Sequence, residues 1–225
     1  MIRRLTILVV LALLGSSAAQ VGSGQDFRPS PKASLTNTEN FVQEIFWLTH
    51  SSGSVTMSGT CMADGRADNQ VVSDSLPHPP EGPFHSIDEA LTALSRVAPH
   101  LSWARDAKGV LRIRDDRVPD DVLRIHLQRV HFRGGVQPDE GIWDVLRSPE
   151  VRAYFQKNHI EDGLMYNPLA PTSKKGLPRL KGDLRDVSVA EAFDYVVRFF
   201  PGWWIYKECP NGPFRRVLVR PVLVR

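Results

Sequence analysis

Two stretches of the chain carry the same pattern of apolar and polar positions at helical spacing. From Ser86 to Pro99, Ile87, Ala90, Leu91, Leu94 and Val97 share one face; from Ser188 to Pro201, Val189, Ala192, Phe193, Val196 and Phe199 do the same. An offset of 102 residues maps one stretch onto the other without a gap. Both open with Ser-x-x-Glu, a capping box in which hydroxyl and carboxylate each satisfy an orphan backbone N–H. Both stop at a proline, which cannot continue the helical ladder. The pattern predicts two capped amphipathic helices and an internal repeat.

The rest of the chain extends that repeat. Phe41, Val42, Ile45, Phe46 and Leu48 predict a short helix capped by Asn37 or Thr38, and Val55 and Met57 alternate with polar residues as a strand. A second strand is expected around Val71 to Leu76, ended by the prolines at 77, 79, 80 and 83. After Pro99, Leu101 and Trp103 lead through Asp106–Gly109 into Val110–Arg114, a hairpin. Val122 to Phe132 alternates as a strand. Helices should then start at Pro138 and Pro149, the first with Ile142, Trp143, Val145 and Leu146 inward. Short strands are expected at Gly163–Tyr166 and Leu180–Leu184, and beyond Pro201 Trp203–Tyr206 and Val217–Arg220 form a second hairpin. The expected fold is α+β, two small two-layer units over residues 34–117 and 121–225. Each unit reads strand, helix, strand, strand, helix, hairpin. Units of that size are near the lower limit for a self-sufficient core, so the two are expected to pack together.

The first residues change the compartment. Arg3 and Arg4, the apolar run Leu5–Leu14 and the small residues Ser17-Ala18-Ala19 read as a signal peptide over 1–19. The run is shorter than the roughly 20 residues a membrane span needs, which leaves an uncleaved anchor as the alternative. Residues 20–33, rich in Gly, Ser, Pro and charge, read as a flexible leader. The chain has 28 Lys and Arg against 25 Asp and Glu, and two of those cations leave with the signal. With no long basic run, no nucleic-acid partner is expected.

The helix, glycine and short strand from Phe41 to Met57, followed by a Ser-x-x-Glu-Ala helix and a hairpin, resemble the secretin and TonB short N-terminal domain. Residues 86–113 and 188–219 each resemble its second half, and 41–57 its first. The resemblance implies a periplasmic module with two helices between two small sheets. No secretin pore segment, TonB box or barrel sequence follows, so the chain reads as a free-standing tandem of such modules.

Candidate chemistry is sparse. The seven histidines, including His126 and His131, lack the spacing with which one element builds a zinc site, so no metal or cofactor is expected. Ser51-Ser52-Gly53-Ser54 lacks the flanking glycines of a nucleophile elbow. Arg133-Gly134-Gly135 reads as a turn before a helix, and the acid pairs Asp115-Asp116 and Asp120-Asp121 as a solvated junction. Trp203 and Trp204 are adjacent on a strand, so one should face inward and the other outward, either as a partner-binding anchor or packed against the other unit. Cys61 and Cys209 are an even pair in an exported chain and can bond to each other; two isolated thiols are the alternative. Three functions follow: a non-enzymatic interaction module docking an envelope protein, a small-ligand or glycan binder, or an exported enzyme.

Overall fold

The computed structural model describes residues 26–29, 37–61, 71–76, 78–107, 109–164, 178–209 and 215–223. The signal peptide and most of the leader lie outside the described residues. The elements are α1 (Thr38–Leu48), β1 (Gly53–Cys61), β2 (Val71–Ser73), α2 (Ile87–Val97), β3 (Leu101–Arg105), β4 (Leu111–Asp115), β5 (His126–Gly135), α3 (Pro138–Leu146), α4 (Pro149–Lys157), β6 (Ile160–Leu164), β7 (Leu180–Ser188), α5 (Val189–Phe199), β8 (Gly202–Cys209) and β9 (Arg215–Leu223). The fold is α+β.

Capping fixes the helix starts. Asn37, rather than Thr38, accepts from the Asn40 N–H at 2.8 Å. At α5 the box is complete: Ser188 Oγ accepts from the Glu191 N–H at 3.2 Å, and the Ser188 N–H donates to Glu191 Oε2 at 2.7 Å. At α2 only half of it forms as expected. Ser86 Oγ accepts from the Glu89 N–H, but Glu89 Oε2 reaches one residue further back, to the His85 N–H.

The strands form a seven-stranded mixed sheet in the order β3-β4-β1-β8-β9-β6, with β2 antiparallel to the end of β1. The two hairpins, β3–β4 and β8–β9, are antiparallel; β1 runs parallel to both β4 and β8, and β6 parallel to β9. One sheet therefore spans both halves of the chain. Side-chain alternation sends its two faces to two separate cores. Val55, Leu111, Ile113, Trp203 and Ile205 join α1 and α2 on one face; Trp204, Tyr206, Val217 and Val219 join α3 and α5 on the other. β8 feeds both.

A two-stranded sheet, β5–β7, covers the outer side of the second core. Among the described residues of the first half, isolated bridges join Phe27 with Phe84 and Asn37 with Ser75.

Several expectations are corrected. Residues 26–29 of the leader are held rather than free: Phe27 and Phe84 exchange backbone hydrogen bonds of 3.0 and 2.8 Å, and Pro29 is buried. β5 begins at His126, not Val122, because Asp120 and Val122 close turns on Arg124 and Ile125 through backbone bonds. Arg133-Gly134-Gly135 is no turn but the bulged end of β5, with Gly134 at φ 94° in the left-handed region that glycine tolerates. Asp115 is 3% exposed rather than solvated, accepting from the Ser58 N–H and from Arg117. The strand expected at 163–166 starts earlier, at Ile160, and its last two residues lie outside the described residues. No described helix is long and apolar enough to cross a membrane.

Candidate functional site

β4 alternates, so Leu111 and Ile113 enter the first core while Arg112 and Arg114 point to the opposite face, beside α5. α5 presents Asp194 to that face. Arg112 grips it with two parallel bonds, Nη1 to Oδ1 at 2.7 Å and Nη2 to Oδ2 at 2.6 Å. Three further bonds orient the pair. Arg112 donates to Ser54 Oγ at 3.0 Å and to Asp106 Oδ2 at 2.9 Å, and the Trp204 indole donates to Asp194 Oδ1 at 2.8 Å. Burial works against the guanidinium's charge, but its bonds to Asp194 and Asp106 outweigh that and hold its pKa above the ordinary value.

The clamp divides the space beside α5 in two. One cavity of about 540 Å³ lies between α5, β7 and the β3–β4 hairpin tip, with apolar lining from Leu184, Val187, Tyr195, Val197 and Pro201. A second, of about 340 Å³, runs over Ile113, Val118, Leu123 and Trp204. At its rim Asp120 is shared by Arg114 at 2.7 Å and Arg124 at 2.6 Å. Arg112 and Asp194 line both. The cavities take residues from both halves of the chain.

Two other ionic clusters hold the halves and their junction. On the opposite face Glu39 of α1 accepts from Ser73, from Arg220 and from the Lys207 ammonium. Burial disfavours the Glu39 carboxylate, yet the two cations win and its pKa is lowered. At the junction Asp121 pairs with Arg215 and accepts from the Tyr154 hydroxyl at 2.6 Å, while Arg215 also binds Glu208, which accepts from Tyr206 at 2.7 Å. Arg215 holds the Asp121 pKa down at about 2.

The residues singled out in the sequence fare differently. Trp203 and Trp204 do face opposite ways, but neither is exposed: Trp203 is 0% and Trp204 2% accessible. β8 is an interior strand with a core on each side, so both indoles are packing residues. Trp203 stacks on Phe46 at 4.7 Å and Trp204 meets Phe193 edge-on at 5.5 Å. Among the described residues, the exposed aromatics are Trp47, at 43%, and Tyr195, at 36% and on the cavity wall. Cys209 is in a disulfide, and no described cysteine is free. Cys61, the other cysteine of the sequence, ends β1, and its side chain lies outside the described residues. His126 and His131 are both exposed on β5, and His131 hydrogen-bonds Asp183 at 2.8 Å. Among the described residues no three His, Cys, Asp or Glu side chains gather where a metal would sit. Sequence reading missed the Arg112–Asp194 clamp. Its one signal was an acidic residue flanked by Phe193 and Tyr195 in the middle of an apolar helix.

Compared with known protein families, curated proteins and solved structures, the chain matches none. Its functional reading therefore rests on its own geometry.

Proposed function

We propose that the chain is an exported, non-enzymatic interaction module that docks a segment of another envelope protein in the cleft beside α5. The observation that carries this reading is the cavity of about 540 Å³ whose lining is largely apolar and whose wall includes β7. Among the described residues β7 is paired on one side only, with β5. An extended polypeptide can add to such an edge through its backbone while placing apolar side chains beside Leu184, Val187 and Tyr195. The charged groups at the centre of the cleft support a docking role over catalysis. Arg112 is already bonded to both Asp194 and Asp106, and Glu191 caps α5. The resemblance to secretin N-terminal modules and the leader's export pattern fit the same reading.

A photo-crosslinking residue at Tyr195, in cells exporting the protein, should trap one envelope protein. The same residue at Lys157, on the far helix α4, should not. Equal or absent crosslinking at both positions would sink the proposal.

A second reading is favoured by the cavity's size alone, which lies within the usual range for small-ligand pockets. A small molecule that raises the melting temperature and quenches tryptophan emission, with no protein crosslink at Tyr195, would select it.

A further inference from the structure

We propose that the chain associates with further copies of itself head to tail, the edge of β6 left unpaired among the described residues in one copy pairing in parallel with the corresponding edge of β3 in the next. Across β3-β4-β1-β8-β9-β6, the strands β4, β1 and β8 run one way and β3, β9 and β6 the other. The first three are a hairpin followed by a strand parallel to its second arm. The last three are the same, with every direction reversed. A half-turn about the line crossing the strands, with an advance of three strands, relates the two sets. That operation also exchanges the faces, as the placing of α1 and α2 opposite α3 and α5 requires.

Local features agree with it. β1 and β6 each follow a helix whose C-cap is succeeded by a histidine in the left-handed region, His50 at φ 48° and His159 at φ 51°. α2 and α5 are each capped by serine and each lead into a hairpin. β6 thus holds in the second set the place of β1, and β3 holds in the first the place of β8.

The junction between β1 and β8 joins two different edges, so it is heterologous and does not close on itself. Repeating the operation sets β6 beside β3 of a second copy, parallel as β1 is to β8. Among the described residues no strand pairs with the outer edge of β3. The Asp106 N–H donates to the Val110 carbonyl, which fixes the hairpin's alternation and turns the N–H groups of Trp103 and Arg105 outward. β3 carries neither proline nor bulge, and Ser102 and Ala104 are exposed. On β5, by contrast, carboxylates of Glu150 and Asp144 take the Gln128 and Arg133 N–H groups, each at 3.1 Å.

Sedimentation of the mature chain from micromolar to millimolar concentration tests this, with amide exchange followed in parallel. Mean mass should keep rising past two chains, exchange at Trp103 and Arg105 should slow as it does, and Arg105→Pro should stay monomeric. A monomer throughout, a plateau at two chains, or exchange at Trp103 and Arg105 that ignores concentration would overturn the proposal. So would an Arg105→Pro variant that associates like the parent chain. If that variant does not fold, the exchange rates of the parent chain still decide. Partner capture at Tyr195 is read separately and stands or falls by itself.

Discussion

At Asp194 a carboxylate 12% exposed faces an arginine from the other half of the chain. Removing it leaves Arg112 part-buried with only Asp106 and Ser54, so Asp194→Ala should cost about 3 kcal/mol, the lower end for a broken buried pair. Loss of Asp88, whose partner Arg105 is a surface residue, should cost less than about 1 kcal/mol. Urea midpoints of the two variants make the comparison. A second prediction follows from Asp121. Its folded pKa of about 2 lies below the roughly 3.9 of an unfolded aspartate, so its contribution is complete above about pH 4 and is lost as pH falls toward 2. Glu39, lowered by Lys207 and Arg220, acts in the same direction. Arg215→Gln should raise the midpoint of acid unfolding, because Asp121 loses the cation that holds its pKa down. An unchanged midpoint would show that the cluster contributes nothing. None of these pairs was legible in the sequence. The partners lie as many as 181 positions apart, as with Glu39 and Arg220, and no local pattern links them.

Among the elements, the capped helices were the most legible part, because capping boxes, apolar stripes and terminal prolines are local devices. Ser188→Ala should cost about 1 kcal/mol. Glu89→Ala should cost less than Glu191→Ala, since Glu191 takes both the N–H and the hydroxyl of its cap residue and Glu89 takes only the His85 N–H. Chemical denaturation measures both. Strand ends were less legible, as with β5, whose first expected residues are taken by turns. Burial on β8 was illegible for a clearer reason. Alternation in Trp203–Tyr206 tells which residues share a face, but not that both faces are covered. The glycines flanking this junction are also tertiary in origin. A Cβ on Gly53 would meet the Leu111 carbonyl oxygen at 2.2 Å, and one on Gly202 that of Val222 at 2.1 Å. Gly53→Ala should therefore destabilise by roughly 1–3 kcal/mol, the usual range for overpacking.

In the whole molecule, the two halves share a sheet, exchange ion pairs on both of its faces and meet near Cys209. Glu39 reaches from the first half to Lys207 and Arg220, while Asp194 reaches back from the second to Arg112. Mass spectrometry under non-reducing conditions should find Cys209 bonded to Cys61; two alkylatable thiols in exported protein would refute that. The sequence offset suggested a repeat, but it could not tell that the two halves of the chain would merge through β1 and β8. That merging is the central claim, and it makes the first core depend on Trp203 and Ile205 from the far end of the chain. Residues 34–117 expressed alone test it most directly. Without β8 the fragment should give a collapsed, undispersed amide spectrum, while the intact mature chain unfolds in one cooperative transition. A fragment with native dispersion and its own sharp melting transition would contradict the account.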